Sequence, residues 1–321
     1  MIIVTGAAGF IGSNLIRRLN QDKFNFIIAV DDFSDPAKKK NLEGKTIQKY
    51  VDRDQFFDWL DQHYDEIEFL FHLGARTDES ETNYDVFDHL NVQYSKQIWR
   101  KCVAYQIPLI YASSAATYGA GEHGFEDNEA LIPELKPLNA FSESKNQFDI
   151  WAIEQEEKPF FWAGLKFFNV YGPNEYHKGH MASVILHAYL EIRERGTATL
   201  FRSNRPEIQD GEQMRDFVYV KDVIEVCIFL MYSRKHSGIY NVGTGKARSF
   251  RELVQNTFWS LHRETSILFS DMPACLQDHY QYFTEATLSK LRSIGYDKPF
   301  FSIEEGVADY VVNYLKTNQY H

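Results

Sequence analysis

The eight residues Thr5-Gly6-Ala7-Ala8-Gly9-Phe10-Ile11-Gly12 constrain this chain more than any other stretch. They join the apolar run Met1 to Val4 to a segment, Ser13 to Leu19, whose apolar residues fall at helical spacing. That pattern predicts a strand, a tight turn and a helix. Glycines let another group approach the main chain closely, and the free amides at the start of a helix favour negative charge beside them. A strand, a glycine turn and a helix in this order predict a dinucleotide site, with the pyrophosphate against Gly6, Gly9, Phe10, Ile11 and Gly12.

Further apolar runs follow at Phe26 to Val30, Ile67 to Phe71, Pro108 to Ala112 and Phe161 to Phe168, separated by helical patterns. Alternation of this kind predicts right-handed crossovers and a parallel sheet. The expected fold is α/β, a Rossmann-type doubly wound parallel sheet with a smaller, discontinuous α/β substrate domain. Residues 1–168 plus about 213–242 are assigned to the dinucleotide domain, and about 169–212 plus 243–321 to the smaller one. The apolar stretch Gly238 to Val242 is expected to return to the main sheet.

A chain of 321 residues with 44% hydrophobic content can bury a sizeable core. Its net charge of −11 offers no field to hold a nucleic acid along an extended surface. Cys102, Cys227 and Cys275 are odd in number, far apart and without metal or redox spacing, so they are expected to be reduced structural thiols, and no metal site is expected. Neither a leader pattern nor an apolar stretch approaching ~18 residues is present, so the expectation is a cytoplasmic protein without membrane partners.

Asp31 closes the second apolar run, with Asp32 beside it, where an acid can accept bonds from the adenine ribose hydroxyls. An aspartate alone there favours NAD. Lys38, with Lys39, Lys40 or Arg53 nearby, would instead neutralise a 2′-phosphate and admit NADP; a solvated loop lysine is the other reading of Lys38.

Two later segments, Ser113-Ser114-Ala115-Ala116-Thr117-Tyr118-Gly119 and Asn139-Ala140-Phe141-Ser142-Glu143-Ser144-Lys145, complete a pattern that resembles the extended short-chain dehydrogenase/reductase superfamily. The resemblance implies an acid/base triad of a serine, a tyrosine and a lysine four residues after the tyrosine. Ser114 and Lys145 match, and Phe141 stands at the tyrosine position. A phenol there exchanges a proton with the substrate hydroxyl, and general acid/base catalysis contributes about 10² to 10⁴ in rate. A chain carrying Phe141 is therefore expected to bind its ligands and turn over poorly. The resemblance also places Leu73, Gly74, Ala75, Arg76, Thr77, Leu90, Lys145, Val170 and Lys178 against the cofactor, although Leu90 departs from the asparagine common at its position.

The segment Lys166-Phe167-Phe168-Asn169-Val170-Tyr171-Gly172-Pro173-Asn174-Glu175 resembles the nucleotide-sugar branch of that superfamily, and His177-Lys178-Gly179-His180-Met181-Ala182-Ser183 resembles its ADP-heptose 6-epimerases. That resemblance implies NADP, an ADP-sugar substrate for lipopolysaccharide core synthesis, and a homo-oligomer, specifically a pentamer. Inverting a carbinol carbon through a transient ketone means handling the hydroxyl proton in two poses. The family implies the triad tyrosine for one and the lysine matching Lys178 for the other; a loop lysine facing phosphate or solvent is the plainer reading. Substrate contacts carried over are Ser114, Asn169, His180, His187, Phe201, Arg202, Ser203, Asn204, Arg215 and Tyr280. His187 equally fits a core histidine, and Arg215 an ion pair with Asp216 or Asp222. Other departures are Lys166, Asn174 and His180, and a long Arg202 to Glu212 loop. Two other readings stay open: another epimerase or dehydratase of this fold, and a catalytically dead cofactor-binding protein.

Overall fold

Every residue of the first strand, β1 (Ile2–Thr5), is buried, because it lies inside a seven-stranded parallel sheet with helices packed on it. The computed structural model describes residues 1–78, 81, 83–277 and 280–321; the side chains of Cys275 and Leu276 also lie outside the described residues. The remaining strands are β2 (Ile27–Asp31), β3 (Lys49–Asp52), β4 (Phe69–His72), β5 (Leu109–Ser114), β6 (Trp162–Phe167), β7 (Asn169–Tyr171), β8 (Ala198–Phe201), β9 (Met214–Tyr219), β10 (Gly238–Val242), β11 (Ala247–Ser249) and β12 (Ile267–Ser270). The large sheet runs β10-β6-β5-β4-β1-β2-β3, all parallel. Strand order reverses between β1 and β4, and ligands of such sheets bind beyond the carboxyl ends of the strands at that point.

The apolar runs read from the sequence all become strands of this sheet, with boundary shifts that have simple causes. Phe26 stays outside β2 and is 67% exposed, whereas Asp31 joins the strand as its last residue. β4 starts at Phe69, not Ile67. The edge strand β3 gave no apolar signal, because of its four residues only Val51 is buried. Gly238–Val242 pairs with β6 in register Gly238↔Ala163, which returns it to the main sheet.

A three-stranded sheet, β11-β9-β7, and a parallel pair, β12-β8, lie outside the large sheet. Ala188, Ile192, Ala198, Leu200, Val254 and Phe258 form a small apolar cluster of their own around β8, separate from the main core. Cys102 and Cys227 are buried free thiols, and burial raises both pKa values. Among the described residues no helix is long and apolar enough to cross a membrane, and no cluster of acidic, histidine and cysteine side chains is arranged to hold a metal.

Gly6 has φ +66, and a Cβ added there would lie 2.6–2.8 Å from the backbone of Leu73 and Gly74. The two turns after β1 and β4 thus touch through main chain alone. Gly44 has a similar φ, +72, but open space around it. We expect Gly6→Ala to cost more than about 2 kcal/mol and Gly44→Ala about 1 kcal/mol, as read by urea denaturation. Equal costs would mean that the close approach of the two turns is not what requires glycine.

Candidate active site

The glycine turn is closed by Gly9 N donating to Gly6 O at 3.0 Å, and the helix Phe10–Gln21 starts directly after it. No side chain caps that helix, so its first amides face the crevice. Ala8 N donates to Asp31 Oδ2 at 2.8 Å. Asp31 Oδ1 accepts from Asp32 N at 2.8 Å and from Lys38 Nζ at 2.5 Å. Lys38 is therefore paired with the buried end of β2 rather than solvated. Arg53 lies 3.5 Å from Asp32, which brings two acids and two bases to one corner.

On the other side of the turn, β4 ends in a buried hydrogen-bonded chain. Gly74 N donates to Thr5 Oγ1, which bonds His72 Nδ1 at 2.7 Å; His72 Nε2 bonds Ser95 Oγ at 2.8 Å, and that hydroxyl donates to Asn91 O. Only a ring protonated at Nε2 and bare at Nδ1 satisfies every partner. Burial, with the Lys145 charge added, pulls the His72 pKa down to about 3. Asn91 Oδ1 accepts from Arg76 N, and its Nδ2 donates to Arg76 O and to Ser144 Oγ, which in turn donates to Phe141 O. The loop Leu73 to Thr77 is thereby tied to the helix carrying Phe141. Asn91 went unnoticed in the sequence; it lies beside half-buried Leu90 in a π-helical stretch, Asp88–Gln93, a local distortion frequent at functional sites.

The helix Ala140–Glu154 begins at Asn139, whose Oδ1 caps Ser142 N while Ser142 Oγ accepts from Asn139 N. Phe141, Lys145 and Asp149 follow at four-residue spacing on one face, and all three are buried. Asp149 accepts from Tyr111 and Ser113 of β5 and from Lys166 of β6. Ser114, last in β5, accepts from Ala116 N at 3.1 Å and is part-exposed. Lys145 is 5% exposed, and among the described residues nothing accepts a hydrogen bond from its ammonium. Burial pulls its pKa down to about 8 against the opposing pull of Asp149.

Lys178 lies in the kinked 3-10 stretch Tyr176–Met181, just before the break at Gly179, with Nζ 5.4 Å above the ring of Phe10. His180, mostly exposed, has Nε2 3.9 Å from Asp78, so this turn meets the loop that follows Arg76. Val170 is half-buried and Asn169 exposed on β7, which pairs Asn169 with Phe217 of β9. Two residues before Phe217, Arg215 is buried, with its guanidinium 5.1 Å over the Tyr280 ring; burial raises the Tyr280 pKa against the pull of that charge. Asp216 accepts instead from Thr244, Gly245 and Ala286, and Asp222 from Phe301 N.

Around β8 the long loop is internally fastened: Ser203 N donates to Asp210, Asn204 N donates to Tyr282 Oη, and Arg202 faces Asp271 at 3.7 Å. Phe201 ends β8 and is 37% exposed. His187 is half-buried in the helix Val184–Arg195; its main-chain N–H donates to Ser183 O, and its ring makes no hydrogen bond among the described residues, so it is not a satisfied core histidine. The structure thus joins the glycine turn, Asp31, Lys38, Gly74 and Lys178 through direct contacts, and Arg76 to Phe141 through Asn91 and Ser144. Arg215 of β9 meets Tyr280, and Asn169 is on the neighbouring strand β7.

The geometry is a dinucleotide crevice with a buried, unpaired ammonium beside it. Consistent with that class, residues 2–243 match the model of the NAD dependent epimerase/dehydratase family, and the chain belongs to this family. It is 46% identical to the ADP-L-glycero-D-manno-heptose-6-epimerase of Fusobacterium nucleatum, with 98% of each chain covered. It is 44% identical to the enzyme of that name from Nitratidesulfovibrio vulgaris over the full length of both. A crystal structure of the Helicobacter pylori ADP-L-glycero-D-manno-heptose-6-epimerase superposes with a TM-score of 0.80 at 27% identity, covering 97% of this chain and 95% of that one. The protein is an enzyme of the isomerase class, an epimerase acting on a nucleotide sugar, and its family binds NAD(P).

The His72 environment carries a pH consequence. The folded state keeps this ring neutral down to about 3, whereas an unfolded histidine takes a proton near its ordinary 6.5. Stability contributed by the neutral ring is whole above 6.5 and is lost as pH falls toward 3, at up to about 1.4 kcal/mol per pH unit. Urea denaturation between about pH 7 and pH 5 should show this slope. His72→Gln should flatten it by about one proton; an unchanged slope would refute the buried neutral ring.

Proposed function

We propose that this chain inverts C6 of an ADP-heptose, with NADP as its resident cofactor, in the supply of lipopolysaccharide core precursor. The observation that carries this reading is the pair of lysines flanking the crevice: Lys145, buried without a hydrogen-bond partner one turn after Phe141, and Lys178, poised over Phe10 of the glycine turn. The cradle fits a dinucleotide, since Gly6 and Gly74 meet by main chain alone and the helix after Gly9 starts with uncapped amides. Held in that cradle, the dinucleotide would supply reversible hydride chemistry for the oxidation and reduction of C6.

The chain's own residues bind, orient and move protons. Lys145 donates to the nicotinamide ribose hydroxyls, and Leu73 to Thr77 wall that end of the crevice, fixed by Asn91. Ser114 hydrogen-bonds the reacting hydroxyl. Lys178 takes or gives the hydroxyl proton in one pose, and the other pose calls for a proton carrier at position 141. Phe141 preserves the ring and lacks the proton, so this form turns over slowly. Asn169, His180, His187, the Phe201 to Asn204 segment, Arg215 and Tyr280 bind the ADP-sugar, with the Arg215 fork on a diphosphate oxygen. Residues 169–212 and 243–321 form the substrate-binding part, and the protein works as a cytoplasmic homo-oligomer. For the cofactor, the Lys38 charge at Asp31 and Arg53 at Asp32 support NADP over NAD, because they offset the acids that would repel a 2′-phosphate.

Phe141 also favours a second reading, a cofactor- and sugar-binding protein without turnover. Phe141→Tyr separates the two: epimerisation of ADP-heptose should rise at least about tenfold. No rise would sink the triad assignment and favour the silent binder. Adding Lys178→Met to that variant should abolish the gain, and full retained activity would remove Lys178 from the chemistry. Lys38→Ala should weaken NADP at least about tenfold more than NAD in titrations of the two cofactors; equal losses would overturn the NADP preference.

A further inference from the structure

Lys178 needs a fixed height above the glycine turn, yet the segment that carries it has little regular structure of its own. Gly172, Asn174 and Gly179 all have positive φ, and the helical part of the segment is two short 3-10 turns, Tyr176–Met181, broken at Gly179. Its placement must come from side-chain bonds. Asn174, fully buried at φ +74, is the centre of these: its Nδ2 donates to Ser13 Oγ on the cofactor helix, and its main-chain oxygen accepts from Asn41 Nδ2, which also reaches Ala8 O in the glycine turn.

Residues 319–321 close this arrangement from outside. The main chain of His321 and the amide of Asn174 pair reciprocally, with His321 N to Asn174 Oδ1 at 2.8 Å and Asn174 Nδ2 to His321 O at 2.9 Å. The His321 ring then bonds, through Nδ1, to Asn14 Oδ1 at 2.9 Å. Asn14 Nδ2 in turn donates to Phe10 O and to Pro173 O. One histidine therefore grips both sides of the contact: the turn whose Phe10 lies under Lys178, and the segment that delivers Lys178. Tyr176 adds a second hold, donating from its hydroxyl to Gln319 O at 2.8 Å and meeting the Tyr320 ring edge-on at 4.9 Å. Burial pulls the His321 pKa down to about 4, and because Asn14 Oδ1 can only accept, the neutral ring carries its proton on Nδ1.

We propose that Tyr320 and His321 are positioning residues, a strap that holds the Lys178 segment on the cofactor turn for the proton transfer assigned to Lys178; the catalytic part of this inference rests on that assignment. The strap touches no site of substrate chemistry, so its loss should lower kcat rather than raise KM.

The test is a double-mutant cycle in the Phe141→Tyr chain, paired with hydrogen exchange on the unaltered chain. His321→Ala should lower kcat about ten- to a hundredfold with substrate KM within about twofold. His321→Asn, which keeps an N–H toward Asn14, should recover most of the loss. In a Lys178→Met chain, His321→Ala should cost nothing further, because the residue acts through Lys178. An equal loss in both backgrounds, or no loss in either, would overturn the proposal. In the unaltered chain, His321→Ala should speed exchange of the Lys178 and Ser183 amides, both hydrogen-bonded to Glu175, at least about tenfold. Unchanged exchange there overturns the strap whatever the kinetics show. Accelerated exchange beside a fully active Lys178→Met chain would keep the strap and refute only the catalytic assignment of Lys178.

Discussion

Lys166 and Asp149 form an ion pair 2.8 Å apart in which neither side chain reaches solvent. The pair joins β6 to the helix Ala140–Glu154, and Asp149 also accepts from Tyr111 and Ser113 of β5, so one carboxylate fastens that helix to two strands. Lys166 Nζ donates as well to Thr117, in the turn that follows Ser114. Losing one member of a buried pair leaves the other charge stranded and costs about 3–5 kcal/mol. The consequence reaches the site directly, because this helix carries Phe141 and Lys145 two turns and one turn before Asp149. With Asp149 fully engaged elsewhere, Lys145 keeps its charge buried and without a hydrogen-bond acceptor, and its pKa falls to about 8.

Around that fixed helix the crevice is assembled by polar bridges between loops. Asn91 couples the Arg76 loop to the helix, His72 couples Thr5 to Ser95, and Asn14 couples the cofactor helix to Pro173. Each bridge is buried, so its rupture would leave donors and acceptors unsatisfied in a place water reaches poorly. The same bridges explain how the segments after β1, β4 and β7 hold their mutual distances.

Much of this was legible in the amino-acid sequence. Continuous apolar runs such as Ile2 to Val4 and Ile110 to Ala112 signal strands buried on both faces, and the glycine turn between a strand and a helix signals the ligand end of the sheet. Phe141 and Lys145 were legible through the resemblance of their segment to the superfamily's tyrosine and lysine motif, whose four-residue spacing returns both to one face of a helix. What stayed hidden depends on partners distant in the chain. Nothing in Asp88-His89-Leu90-Asn91 marks Asn91 as the link to Ser144, and nothing near His321 announces Asn14, 307 positions away. The edge strand β3 and the short strands β7 and β11 carry too few buried residues to leave a periodic signal. The pairing of Lys38 with Asp31 was likewise hidden, because it forms only where β2 and the following turn come together.

The central claim is that inversion proceeds by oxidation and reduction at a cofactor held on the Gly6 turn, with proton handling divided between two sides of the crevice. A substrate deuterated at C6, supplied to the Phe141→Tyr chain in ordinary water, tests it most directly. The account predicts that the epimerised product retains its deuterium at C6, because the hydrogen leaves and returns with its electron pair inside a closed site. Replacement of that deuterium by solvent hydrogen would show that a base removes a proton from carbon, and would contradict the account.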